Sequence, residues 1–240
     1  MTKPLYDSRK FPFECLANTT TFQILNFNHG LMPVVSTYEV ERAAEFGMTH
    51  MQNYDLILLQ EAWTLMKGNI TELLLDKSIS NSAKMMLSGF KRLLNSEILP
   101  DRVQPVRMAA LQNEMNMIDG FHTDNGHGAL LDSGLAVISR FPIEQYDFRV
   151  FKTCSGMDCN SSKGVLYTKI KYKKSRSLHV FNTHINAGGS KEQMDVVKSF
   201  VREKHVSGPI VLAGDFNTGS EELVEYMHEI AEELGNLFPK

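Results

Sequence analysis

Near the end of the chain, Val211-Leu-Ala-Gly-Asp-Phe-Asn217 runs apolar, stops at a glycine, and then offers an aspartate and an asparagine two positions apart. On extended chain a carboxylate and a carboxamide at that spacing point the same way, so both can reach one cation or one phosphoryl group. The same pair would also serve as an Asx turn closing a strand. Further segments repeat the pattern. Thr21-Phe-Gln-Ile-Leu-Asn-Phe-Asn28 alternates apolar and polar residues and delivers Asn28 before the turn His29-Gly30. Asp55-Leu-Ile-Leu-Leu-Gln-Glu61 ends in a carboxylate, and Leu178-His-Val-Phe-Asn-Thr-His184 ends in an imidazole. A carboxylate at the end of a buried apolar run is costly without a partner; a cation beside Glu61 meets that cost, as would a salt bridge. Taken singly, His184 reads as a structural histidine. Taken together, these strand ends supply the amides, carboxylates and imidazole that handling a phosphodiester requires.

Short apolar runs bounded by turn residues are the pattern of buried strands, and open sheets gather ligands where their strands end. Helical patterning falls between them. Ser36 or Thr37 can cap a helix through Met51, and Thr71 to Asn95 carries apolar residues at helical spacing, with Gly89 as a break. Ser190-Lys-Glu-Gln193 and Thr218-Gly-Ser-Glu221 have capping-box spacing and predict helices to about Lys204 and Leu234. The stretch from Met108 to Gly128 is methionine-rich and then reads His122-Thr-Asp-Asn-Gly-His-Gly128, a surface loop with metal binding as the alternative. Met108, Met115 and Met117 read as fillers of core gaps.

In chain order, Asn28, Leu59-Gln-Glu61, Ser133-Gly-Leu-Ala-Val-Ile-Ser-Arg-Phe-Pro142, Thr183-His184 and Gly214-Asp-Phe-Asn217 resemble the motif series of the endonuclease/exonuclease/phosphatase superfamily, whose fold is DNase I-like. Within that group, Leu59-Gln-Glu-Ala-Trp63 and the stretch from Val150 to Ile170, above all Ser162-Lys-Gly164, are similar to neutral magnesium-dependent sphingomyelinases. The resemblance implies an α/β fold, a four-layer α-β-β-α sandwich of two mixed sheets over residues 21–240 behind an N-terminal extension, 1–20. It implies Mg²⁺, or Mn²⁺ in its place, held by Glu61, Asn28 and Asp215. Phosphate would meet Asn28, Lys163 and Asn217. Catalysis would fall to His184 donating to the phosphoryl oxygens, Asp215 positioning the attacking water or a second ion, and Asn217 orienting the phosphate. The implied reaction is hydrolysis of a phosphodiester, with sphingomyelin giving ceramide and phosphocholine. A nuclease or a nucleotide or inositol phosphatase is the alternative within the superfamily.

The sequence departs from that pattern in one respect. The superfamily carries an Asp-His pair beyond the Gly-Asp-Phe-Asn motif, and its histidine is the general base; no Asp-His dipeptide occurs among these 240 residues. General-base catalysis is worth about a hundredfold to ten-thousandfold. The expectation is therefore slow turnover, or a catalytically impaired protein that binds through its phosphate pocket, unless another histidine or a partner completes the site. His205 and His228 fall on predicted helices and make poor substitutes. The closing strands and the apolar membrane-touching hairpin that the segment beyond that motif supplies in the sphingomyelinases are, by that resemblance, likewise expected to be lacking, which leaves a sheet edge that a partner can complete.

With 240 residues, 42% of them hydrophobic, the chain can bury one large core. A formal net charge of -3 argues against a polyanion partner and ranks nucleic acid below a phospholipid. Lys169, Lys171, Lys173, Lys174 and Arg176 alternate along a strand and across its turn, as a solvated hairpin tip or a contact with anionic lipid. No stretch has the length of a membrane span, and Met1 to Asn18 lacks a secretory apolar core, so the expected location is cytoplasmic with at most peripheral membrane contact. Cys15, Cys154 and Cys159 are too few for a disulfide framework. The latter two would pair in an oxidising compartment and remain loop thiols elsewhere.

Overall fold

A computed structural model of the chain describes residues 22–30, 43–63, 103–121, 125–204, 208–218 and 220–237, with a few single positions between 77 and 88. The expected extension over 1–20, the caps at Ser36 and Thr37, and most of the helix expected over 71–95 lie outside the described residues.

Strands β1 (Ile24–Asn28), β2 (Leu56–Gln60), β3 (Asn116–Ile118) and β4 (Ala136–Ser139) form one sheet in the order β1-β2-β4-β3. Here β1 and β2 run parallel, while β4 is antiparallel to both β2 and β3. Strands β5 (Ile143–Val150), β6 (Gly164–Lys173), β7 (Arg176–His184) and β8 (Ile210–Asp215) form the second sheet in chain order. Its first three strands are antiparallel, and β8 lies parallel to β7. A parallel step needs a crossover, which α2 (Lys191–Glu203) supplies. Among the described residues the other long helices are α1 (Gln104–Gln112) and α3 (Glu221–Leu237).

Strand residues alternate between the two faces of a sheet, and that alternation builds the layers. Leu56, Leu58 and Val137 meet Leu166, Ile170, Leu178 and Val180 across the gap between the sheets. Their neighbours Ile57, Leu59, Ala136 and Ile138 face the other way, onto Val106, Ala109 and Ala110 of α1 and onto Phe46 and Met51. On the second sheet Val165, Tyr167 and Phe181 pack against Met194, Val197, Phe200 and Val201 of α2 and Ile230 of α3. Each fully buried Leu, Ile or Phe in these layers contributes about 2 kcal/mol. The result is the expected four-layer α-β-β-α sandwich of two mixed sheets.

Polar side chains also bridge the sheets. Gln60 Nε2 donates to Asn26 Oδ1 (3.0 Å) and to Asn182 Oδ1 (2.7 Å). Asn182 Nδ2 donates to the carbonyls of Leu59 (2.9 Å) and Ala136 (3.0 Å), and Asn26 Nδ2 donates to that of Gly214 (3.0 Å). The bridge runs directly beneath the ends of β1, β2, β7 and β8.

Several local expectations change. Ser190 caps α2 as its spacing predicts, its Oγ accepting from Gln193 N at 3.3 Å. The Gln193 side chain does not return to Ser190; it accepts from Asn186 N and donates to the Thr153 carbonyl. At α3 the cap is Ser220, which accepts from Leu223 N, and not Thr218; the helix continues past Leu234 to Leu237. The expected helix to Met51 widens to a π turn at Phe46–His50 and closes as a 3-10 turn at Met51–Asn53. Thr49 Oγ1 bonds back to the Glu45 carbonyl there, a competitor to the regular ladder. Met115 is buried as expected, but Met108 is 44% exposed, because α1 turns Val106, Ala109 and Ala110 inward and Met108 away from them. Among the described residues no helix is long and apolar enough to cross a membrane.

Candidate active site

Asn28, Glu61, His184 and Asp215 stand at or just past the ends of β1, β2, β7 and β8, and the fold brings those ends together. The nitrogen of the Asn28 side chain donates to Glu61 Oε1 and to Asp215 Oδ2, each at 2.9 Å. His184 Nε2 lies 4.0 Å from Glu61 Oε1 and 3.9 Å from Asp215 Oδ2. Two carboxylates from different sheets thus converge on one amide and one imidazole. Asn28 Oδ1 meanwhile accepts from Gly30 N at 3.1 Å, so this side chain shows the carboxylates its donor end.

Asp215 settles the two readings of its motif by doing both things. Its Oδ1 closes an Asx turn by accepting Asn217 N–H at 3.0 Å, and its Oδ2 faces Asn28. The Asn217 side chain donates to the Ile185 carbonyl at 2.8 Å, tying the loop after β8 to the loop after β7. Glu61 and Asn217 both hold positive φ, 54° and 47°, a region that non-glycine residues rarely occupy. Backbone strain of that kind gathers at functional sites.

Lys163 precedes β6 and is 5% exposed. Its Nζ lies 2.8 Å from Asp158 Oδ1, 3.2 Å from the Ile185 carbonyl and 3.2 Å from His184 Nε2. Burial lowers the lysine pKa, while Asp158, Glu61 and Asp215 pull it back up. Burial, and next the Lys163 charge, push the His184 pKa down to about 4, against the opposite pull of Asp215 and Asp158. The imidazole is therefore neutral near pH 7. Facing an ammonium, its Nε2 accepts, and a nitrogen that accepts cannot at the same time donate. His184 Nδ1 is buried and has no hydrogen-bond partner among the described residues.

Trp63 backs this arrangement, with its ring 6.0 Å from that of His184. The tryptophan explains the neighbouring glycine: a Cβ on Gly134, at φ +64°, would stand 2.6 Å from the indole. Gly214 is as constrained, since its Cβ would fall 2.1 Å from the Thr183 carbonyl oxygen. The serines of the Ser133–Pro142 motif are turn formers: Ser133 Oγ accepts Leu135 N–H and Ser139 Oγ accepts Phe141 N–H.

All the residues singled out from sequence, Asn28, Glu61, Lys163, His184, Asp215 and Asn217, are linked in this network. Sequence reading missed Asp158, which holds Lys163 and accepts Ala187 N–H at 2.7 Å. Its only signal was a carboxylate five residues ahead of a lysine at a strand start. Also missed was the bridge of Asn26, Gln60 and Asn182, although Gln60 and Asn182 are polar residues inside otherwise apolar runs.

A sandwich of this layering with acid and amide side chains gathered at its strand ends defines a recognisable class. The model of the Endonuclease/Exonuclease/phosphatase family matches residues 26–224, and the chain belongs to that family. Among individual proteins, phospholipase C of Staphylococcus aureus is 33% identical over 99 residues, 36% of this chain and 30% of that protein. Sphingomyelinase C of Listeria ivanovii is 27% identical over 181 residues, 70% of this chain and 46% of that protein. The matched part thus spans less than half the length of either relative. The fold also matches a crystal structure of Staphylococcus aureus beta toxin (an F277A, P278A mutant) with bound magnesium ions. That likeness has a TM-score of 0.57 at 21% identity and covers 88% of this chain and 70% of the other.

Proposed function

We propose that the chain is a Mg²⁺-dependent phosphodiesterase whose substrate is a sphingomyelin-like phospholipid, cleaved to a lipid alcohol and phosphocholine. The observation that carries this reading is the convergence of Glu61 and Asp215 on a single amide nitrogen. Two carboxylates brought together call for more positive charge than Lys163, already paired with Asp158, supplies, and one amide does not neutralise them. Hard carboxylate oxygens suit Mg²⁺, which is held by one or two carboxylates plus substrate phosphate. The relatives named phospholipase C and sphingomyelinase C support the choice of a phospholipid.

Glu61 and Asp215 would hold the ion, and Asn28 would join them through its oxygen once the amide turns over. When bound, the ion supplies Lewis-acid stabilisation of charge on the phosphoryl oxygens. The chain's own residues do the rest. Asn217 orients the phosphate beside Asp215, and Asp215 positions the attacking water. Lys163 and His184 are paired with each other before substrate enters. A phosphoryl oxygen arriving between them takes a hydrogen bond from Lys163 Nζ and frees Nε2 of His184. These contributions are positioning and electrostatic stabilisation, which dominate phosphoryl transfer.

The test is hydrolysis of sphingomyelin, a bis-aryl phosphodiester and duplex DNA by the purified chain with Mg²⁺ or EDTA, beside Glu61→Ala. Sphingomyelin is expected to be cleaved preferentially, with Mg²⁺ required and a loss of at least about a hundredfold in the variant. Hydrolysis indifferent to Glu61→Ala would overturn the assignment. Preference for DNA would move the chain to the nuclease branch of its family. Mg²⁺ binding without turnover of any of the three would leave a phosphate-binding protein.

A further inference from the structure

Outside the carboxylate network, a ring nitrogen of His127 and the sulfurs of Cys154 and Cys159 lie within 4.8 Å of one another. The sulfurs are joined as a disulfide, with Cα atoms 5.1 Å apart. Asn125, 2% exposed, holds the two contributing segments in fixed register. Its Nδ2 donates to the carbonyls of Cys159 (3.1 Å) and Ser161 (3.0 Å), and its Oδ1 accepts His127 N–H (2.8 Å). On the ring itself, His127 Nε2 lies 3.1 Å from the Lys152 carbonyl. A carbonyl only accepts, so the ring proton belongs on Nε2 and the lone pair on Nδ1. Metal-binding histidines are oriented in this way, one nitrogen donating to a carbonyl or carboxylate and the other ligating.

We propose that reduction of the Cys154–Cys159 disulfide opens a second metal site, in which two thiolates and the His127 imidazole bind a zinc-type cation. The donor set selects the metal: thiolate and imidazole suit zinc, whereas Mg²⁺ takes oxygen ligands. Three protein ligands leave the fourth tetrahedral position to water, and His127 is exposed, so the site has an entry path. The chemistry balances with an external dithiol as reductant. It delivers two electrons and two protons, becoming a disulfide itself, and the S–S bond opens to two thiols. Zinc binding then releases both thiol protons to solvent. Disulfide and metal exclude one another, because only thiolates ligate.

Either closure spans the turn Gly156–Asn160 and so fixes Asp158, the partner of Lys163. The second site therefore keeps one wall of the first in place when the covalent bridge is lost.

Cobalt(II) tests this, since thiolate ligation gives a charge-transfer absorption that oxygen ligands do not, and excess Mg²⁺ keeps the carboxylates occupied. The full chain reduced with a phosphine is expected to take up one equivalent of Co²⁺ with that absorption, and Zn²⁺ should displace it. The oxidised chain should show none. His127→Ala should weaken binding at least about tenfold, and the double substitution Cys154→Ser with Cys159→Ser should abolish the band. His127 is exposed, so its replacement is expected to leave the fold intact, which circular dichroism checks for each variant. No band in the reduced chain would overturn the proposal. So would a band surviving in the double variant, which would belong to Cys15, or an affinity unchanged in His127→Ala.

Discussion

The most perturbed side chain in the network is His184, kept neutral by burial first and by the Lys163 ammonium second. That perturbation has a consequence for stability with a definite sign. In the unfolded chain the imidazole titrates near 6.5, and in the folded metal-free protein near 4. Between those values the unfolded state binds the extra proton, so stability falls as pH is lowered from about 7 toward 4. Urea denaturation of the EDTA-treated protein across that window is expected to show this loss. His184→Gln should remove up to about 1.4 kcal/mol per pH unit of the slope. An identical slope in both proteins would show that the imidazole titrates normally. Lys163→Met removes the second cause, and the histidine resonance followed by NMR should then titrate at higher pH. How such residues were legible from sequence differs from one to the next. Glu61 and Asp215 announced themselves because a carboxylate ending an apolar run needs an explanation. The partnership of Asp158 with Lys163 gave only a weak signal: the two lie five residues apart across the turn Gly156–Asn160, and spacing alone does not say how such a turn folds.

Strands deliver the site, and the bridge of Asn26, Gln60 and Asn182 sets how the two sheets deliver it relative to each other. Asn28 and Glu61 ride on the first sheet, and His184 and Asp215 on the second. Apolar packing between sheets is non-directional and permits sliding, whereas side-chain amides donating to fixed carbonyls do not. Asn182→Ala withdraws one acceptor from Gln60 and one donor shared by Leu59 and Ala136. The expected cost is about 3 kcal/mol in urea denaturation with an unchanged m-value, together with weaker Mg²⁺ binding as the sheets lose register. A change within about 0.5 kcal/mol would mean the bridge is incidental. The strands themselves were readable because β2, β7 and β8 are apolar runs closed by turn chemistry. The order of the first sheet was not, since β3 and β4 reach their places through contacts far apart in sequence. The Ser190 cap was readable from spacing alone. At α3 the same rule chose Thr218 because two hydroxyl residues compete within three positions, and the chain enters the helix at the later one.

Because each sheet contributes a carboxylate, a cation bound by Glu61 and Asp215 would fasten the halves of the sandwich to one another. Its binding energy would then appear as global stability instead of the stiffening of one loop. A ligand that binds only the folded state stabilises by mass action, about 2.7 kcal/mol at a hundred times its Kd. For a chain of this length that raises Tm by about 5–10 °C. Without the ion, the carboxylates meet at the Asn28 amide beside a neutral imidazole, and the nearby ammonium of Lys163 is already paired with Asp158, so the apo protein carries residual repulsion. Glu61→Gln should therefore separate two quantities that usually move together. In EDTA the variant is expected to melt higher than the wild type, because a like charge is gone. In saturating Mg²⁺ it should melt lower, because the cross-sheet ion no longer binds. Thermal unfolding followed by circular dichroism in the two conditions gives the four melting temperatures needed. The crossing of the two proteins between EDTA and Mg²⁺ is the signature of a site that gives up stability to hold its ion; parallel shifts in both would place the cation elsewhere.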